Sequence, residues 1–240
     1  MTSPTWQELG RRLTEALHLA VAPVAIAFGA EAPAALPAFD APMSEPAPDG
    51  RRGRVPASCV FWIHGADHNF STLPADHGNC SVGRYTHGLA SLEDVAGNDD
   101  VAALLESGWV SPEAVGTIPA VSVRPGAISY GPLGDLAPGI EPDVVLLRVN
   151  GRQLMVLSDA LAELTIQGKP QCHIVALAER GTPAASVGCA LSRSRTGMRP
   201  EEMTCALPAA RLAEAVEAIE QTAAVDSGVA RYAASDARRF

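Results

Sequence analysis

The stretch DHGNCSVGRYTH, residues 76–87, sets Cys80 between His77 and His87, with Asp76 at one end and glycines at 78 and 83. A thiolate is a soft ligand suited to iron–sulfur clusters, zinc or cuprous ion. Imidazole is the side chain that gains and loses a proton near neutral pH without special tuning. Glycine lets the backbone pass close to a site and offer amide hydrogens to sulfur. The stretch therefore reads as a ligand loop in which Cys80 binds through sulfur while His77 and His87 move protons. Direct ligation of zinc by some of Cys80, His77 and His87 is the competing reading.

The remaining thiols are Cys59, Cys172, Cys189 and Cys205. No two fall in C-x-x-C, so neither a zinc-ribbon nor a ferredoxin spacing is present. Cys172 and Cys189 are expected at strand ends, and Cys59 and Cys80 at helix starts, so four thiolates from four elements can meet at one rim of a sheet. Buried, inert cysteine is the plainer alternative for several of them. His64 and His68 lie four apart, a spacing that brings two imidazoles to one helix face, but no glutamate follows His64 as in H-E-x-x-H. Arg193 and Arg195, alternating after Cys189, are candidates to clamp a small anion. Lys169 is the sole lysine among 18 basic residues and is a candidate catalytic group.

Composition bounds what this chemistry serves. With 240 residues and 47% hydrophobic content the chain is long enough for one sizeable core. A net charge of −9 repels phosphate backbones and argues against nucleic acid. No apolar run approaches the roughly 20 residues of a membrane span, and no signal core opens the chain. The expected setting is cytoplasmic, where five cysteines are not a disulfide framework.

The elements that must position these residues follow from periodicity. Apolar spacing predicts helices over 5–19, 58–68, 99–107, 151–164 and 208–221. PVAIAF (23–28), IPAVSV (118–123), DVVLLRV (143–149), CHIVALA (172–178) and ASVGCAL (185–191) read as strands. Residues 29–56 read as a Pro/Ala-rich loop, 130–142 as a Gly/Pro-rich link and 223–240 as a C-terminal tail. Alternating strands and helices imply a single α/β domain, residues 1–240, with a mixed central sheet flanked by helices. No phosphate-binding glycine loop is present.

PVAIAF, ASCVFW, GNCSVG followed by HGL, SYGPL, EPDVVLL, QCHIVALA, ASVGCALSR and EEMTCALPAARL occur in an order that resembles the domain-of-unknown-function 169 family of bacterial and archaeal proteins. The resemblance runs from about residue 10 to about residue 220. It implies family cysteines at Cys59, Cys80, Cys172 and Cys189 and a family strand at Pro142–Val145, and it leaves Cys205 without a counterpart. ALSRSRTGM after Cys189 departs from the many relatives that carry a further cysteine there.

Together these readings favour an iron–sulfur protein, with Cys59, Cys80, Cys172 and Cys189 supplying three or four ligands of a 4Fe–4S cluster. The cluster would act by Lewis-acid or redox chemistry, as in a lyase or oxidoreductase, on a small anionic molecule held by Arg193 and Arg195. A zinc or thiol site, and a non-catalytic module that binds a small molecule or a metal, are the alternatives. The expected partners are the small anion and a second copy of the chain or a redox protein, with no nucleic acid and no membrane.

Overall fold

The computed structural model describes residues 4–40, 57–196 and 198–236, without the side chain of Arg195. Seven strands form one sheet: β1 (Val24–Gly29), β2 (Phe70–Thr72), β3 (Ala127–Pro132), β4 (Val144–Val149), β5 (Thr165–Gln167), β6 (Ala184–Ser186) and β7 (Met203–Pro208). Their spatial order is β2-β3-β1-β4-β7-β6-β5. Every pairing is antiparallel except β5 with β6, so the sheet is mixed and the fold is α/β.

Both faces of the sheet are covered, which is why β4 is apolar at successive positions rather than alternating. Val145, Leu147 and Val149 join one core, packed under α1 (Trp6–Leu17), α7 (Gly151–Ala160) and α10 (Leu212–Ser235). Val144 and Leu146 join the other, with α2 (Ser58–His64), α8 (His173–Glu179) and Cys80 at the start of α3 (Ser81–Thr86). Helix α1 shows how the sequence sets an element. The Thr5 hydroxyl accepts from Glu8 N, Leu9, Leu13 and Leu17 fall on the buried stripe, and His18 in the left-handed region (φ 51°) closes the end. Leu13 is fully buried, so Leu13→Ala is expected to cost about 2–5 kcal/mol.

The helices predicted over 5–19, 58–68, 99–107 and 151–164 are seen as α1, α2, α5 (Asp99–Glu106) and α7, each shorter than its apolar pattern. Between α3 and α5 stands α4 (Leu92–Ala96), and α6 (Pro112–Val115) follows them.

Four expectations are corrected. CHIVALA is not a strand: Cys172 caps α8, whose Ile174, Val175, Ala176 and Ala178 are buried. Helix α8 is wedged between strands β4, β6 and β7 and helix α3, so apolar residues face nearly all round it. A seven-residue run of that kind looks the same as a buried strand. IPAVSV is irregular and lies over α3 and α8, with Val121 N donating to Thr86 O and Ser122 bonded to the Glu179 carboxylate. ASVGCAL is strand only to Ser186, then turns at Gly188 (φ +96°) into α9 (Ala190–Thr196). The tail expected from 223 is the outer half of α10, which runs to Ser235. Strands β2, β3, β5 and β7 went unpredicted, β3 because Gly131 and Pro132 mark it as a turn. Residues 41–56 of the expected loop lie outside the described residues.

Candidate functional site: four cysteines at helix starts

Four short helices meet on one face of the sheet: α2 packs against α3 and α9, and α3 against α8. Each begins at a cysteine. Cys80 and Cys172 cap α3 and α8, Cys59 lies in the first turn of α2, and Cys189 immediately precedes α9. Two sulfurs stand in for the usual capping oxygen. Cys80 Sγ accepts from Gly83 N at 3.4 Å, and Cys189 Sγ accepts from Ser192 N at 3.4 Å while the Ser192 hydroxyl accepts from Cys189 N. The Ser192 hydroxyl also donates to Gln171 Oε1 at 2.8 Å, tying α9 to the residue before Cys172.

Cys172 is central in electrostatic terms. Its thiol is pushed well above the ordinary cysteine range, first by burial and then by Cys80, Cys59 and Cys189, with the Thr86 hydroxyl offsetting part of this. Tyr130, on β3 beneath the helices, is likewise pushed upward by burial and then by Cys172 and Cys59. The Thr72 hydroxyl offsets part of this. Among the described residues, no three His, Cys, Asp or Glu side chains stand close enough in this arrangement to hold an ion. Cys80, Cys59 and Cys189 all lie within electrostatic reach of Cys172. Cys205 belongs to the opposite face of the sheet, paired with Leu147 and Ala185 and packed in the core under α1 and α10.

The histidines of the opening stretch are both buried, and burial lowers the pKa of each. A 3₁₀ turn, Pro74–His77, delivers His77 between two hydroxyls, Thr72 Oγ1 at 2.8 Å from Nε2 and Ser58 Oγ at 2.9 Å from Nδ1. Both ring nitrogens of His77 are hydrogen-bonded to hydroxyls, and the Thr72 hydroxyl also lies 3.2 Å from Ile128 O. His77 is thus fully engaged and reaches the sulfur pocket through Ser58, next to Cys59. Burial, reinforced by the charges of His87 and Arg84, holds its pKa well below 6.5.

His87 is different. Its Nδ1 lies 2.9 Å from Gly83 O, which can only accept, so Nδ1 carries the proton and Nε2 keeps a bare lone pair. Nε2 is buried with no hydrogen-bond partner, and the ring is flanked by Trp62, His77 and Phe28. Burial lowers its pKa to about 4, against the Gly83 bond that raises it.

Gly83 is where close approach matters: a Cβ there would stand 3.2 Å from Ser58 Oγ and 3.7 Å from Cys80 Sγ. Gly78 has no such constraint, its nearest neighbour being Ala75 O at 3.4 Å.

The other predicted site residues are placed as follows. Arg193 spends its guanidinium on three main-chain carbonyls, Arg199 O and Val187 O at 2.7 Å and Glu202 O at 2.8 Å, bracing the Gly188 turn. The side chain of Arg195 lies outside the described residues. Lys169 sits 5.0 Å over the Trp109 ring, exposed to solvent. His64 closes α2 with its ring edge-on to Phe39, and His68 follows one turn beyond the helix end, its N donating to His64 O at 3.0 Å. Sequence reasoning missed Ser58, Thr72, Tyr130, Gln171 and Ser192, small polar or aromatic residues whose roles arise only when distant segments meet.

No helix among the described residues is long and apolar enough to cross a membrane. Neither a curated protein nor a solved structure matches the chain. A family model does, over residues 12–218, a span that begins within α1, ends within α10 and takes in all four cysteines at the helix starts. The chain belongs to the DUF169 family, described as uncharacterised ArCR.

Proposed function

We propose that Cys59, Cys80, Cys172 and Cys189 hold a soft metal centre, a 4Fe–4S cluster in the first instance, beside which a small anionic molecule binds and reacts. The observation that carries this reading is the environment of Cys172, buried with the other three thiols as its electrostatic neighbours. In that pocket thiolates repel one another and are poorly solvated, so a bound cation is what would hold several of them ionised. The donor set is all sulfur, which fits iron–sulfur or zinc and not magnesium or calcium. Such a centre supplies Lewis-acid or redox chemistry when bound.

The chain's own residues have separable tasks. The Gly83 and Ser192 amides donate to the sulfurs of Cys80 and Cys189, bonds that hold electron density on a ligating thiolate. His87 offers the bare Nε2 as a proton acceptor. His77 fixes the Ser58 hydroxyl beside Cys59. Zinc is the second reading, favoured by the bare imidazole lone pair of His87 as a further donor.

Iron, acid-labile sulfide and zinc per chain, measured on protein purified without air, test this directly. Near-stoichiometric iron and sulfide with a charge-transfer band near roughly 400 nm are expected for thiolate-bound iron. Zinc alone would select the second reading, and neither metal in purified or reconstituted protein would overturn both.

A further inference from the structure

Lys169, the sole lysine, is left without a task by the proposed chemistry. It is exposed, lies shortly before Cys172 in the chain, and sets Nζ 5.0 Å over the Trp109 ring. A cation over an indole face holds two segments together without burying either. Trp109 follows α5, so the contact ties the segment after α4 to the loop that leads into α8.

The other end of that segment is fixed beside a second cysteine. The Asp100 carboxylate, in the first turn of α5, accepts from Ser81 N at 2.9 Å and from Ser81 Oγ at 2.6 Å, and Ser81 Oγ accepts from Asn98 Nδ2 at 2.7 Å. Ser81 is buried and directly follows Cys80. The segment therefore spans from the start of α3, at Cys80, to the loop before Cys172.

Between its flanks it is held lightly. From Ala96 to Thr117 every residue is exposed or half-buried, including Val101, Leu104 and Leu105 of α5, whereas Val95 before it and Ile118 after it are buried. The far flank is tied to α3, with Tyr85 Oη donating to Ile118 O at 3.1 Å and Val121 N donating to Thr86 O at 3.0 Å. A Cβ at Gly97 or Gly108 would meet no atom within 4 Å among the described residues, so the backbone is free to turn at both. Segments with few buried apolar contacts open locally at a free energy well below that of global unfolding.

We propose that residues 97–117 form a strap across the sulfur pocket, fastened by Asp100 to Ser81 beside Cys80 and by Trp109 to Lys169 before Cys172, whose release admits a metal or small ligand to the thiols. What enters rests on the proposed function, but the opening itself requires no metal.

Alkylation of metal-stripped, reduced protein by iodoacetamide, followed cysteine by cysteine by peptide mass spectrometry, tests it. Cys205, on the far face of the sheet, reports global unfolding in the same sample. Lys169→Met and Trp109→Ala should each speed labelling of Cys80 and Cys172 by about two- to fivefold, the ratio expected for an exposed cation–π contact. The double variant should label no faster than Trp109→Ala, because both changes remove one contact. Asp100→Asn, which weakens charge-assisted bonds, should speed labelling by about tenfold. Cys205 should keep its wild-type rate in all of them. In wild type, hydrogen exchange should find the amides of α5 opening more readily than those of α8. Unchanged labelling of Cys80 and Cys172 in Asp100→Asn, or acceleration of Cys205 in parallel with them, overturns the strap, as does protection of α5 equal to that of α8. Iron and zinc are measured separately on wild type made without air. Absence of both would count against the proposed centre and leave the labelling result standing.

Discussion

Raising the pH of the metal-stripped protein from 8.5 to 11 should separate Cys205 from the four thiols at the helix starts. Cys205 is fully buried on β7, and burial pushes its thiol from an ordinary value near 9 to about 12. A folded-state pKa above the unfolded one contributes stability that is complete below the unfolded value and lost as pH rises toward the folded value. Between pH 9 and 12 the unfolded chain gives up a proton that the folded chain keeps, which costs about 1.4 kcal/mol per pH unit. The loss from Cys205 alone is therefore ~1.4 kcal/mol at pH 10 and ~2.7 kcal/mol at pH 11. Cys172, also raised, adds a loss of the same sign. Urea unfolding of wild type and Cys205→Ala across this range measures the difference. The variant should lose about 1–2 kcal/mol at pH 7 through the vacated volume, yet fall less steeply above pH 9, by about one proton. With metal bound, Cys172 is already deprotonated, so its share of the slope should vanish while that of Cys205 persists. Equal slopes in wild type and Cys205→Ala would refute the assignment of Cys205 as a neutral core thiol.

At acid pH the sign reverses for His87. Its folded pKa of about 4 lies below the unfolded value of 6.5, so its contribution is complete above pH 6.5 and lost as pH falls toward 4. The loss is ~2 kcal/mol by pH 5, and urea unfolding of His87→Leu between pH 7 and 5 should show a slope shallower by about one proton. Gly83→Ala places a methyl 3.2 Å from a Ser58 hydroxyl that is itself bonded to His77, so Ser58 cannot swing aside freely. A cost of about 1–3 kcal/mol is expected, read as a lowered urea midpoint, together with weaker iron uptake on reconstitution. A midpoint unchanged from wild type would show that the approach of α3 to α2 is looser than described.

Long apolar signals in the sequence carried β1, β4, part of β6 and the outer helices. DVVLLRV could only be a strand buried on both faces, and the Leu9, Leu13, Leu17 stripe could only be α1. Short elements were ambiguous for a physical reason. CHIVALA has seven residues buried on nearly all sides, so neither a period of 2 nor one of 3.6 shows, and its helical state is fixed by the sheet and α3 around it. The positions of Cys59 and Cys80 at helix starts were legible in the sequence. The correct element for Cys172 was not, and a helix cap serves a rim position as well as a strand end does. Arg193 looked like an anion clamp because its fate depends on Val187, Arg199 and Glu202, residues whose carbonyls converge only after the Gly188 turn forms.

The most direct test compares iron retention in five single variants reconstituted without air: Cys59→Ser, Cys80→Ser, Cys172→Ser, Cys189→Ser and Cys205→Ser. Serine keeps the size of the side chain but offers a hard, weakly acidic oxygen in place of soft sulfur. Cys172→Ser is expected to lose bound iron and its visible absorption, with clear loss in at least two of the other three variants at helix starts, while Cys205→Ser retains wild-type iron on the far face of the sheet. Full iron in Cys172→Ser, or loss in Cys205→Ser equal to that in the others, would contradict a metal centre built around Cys172.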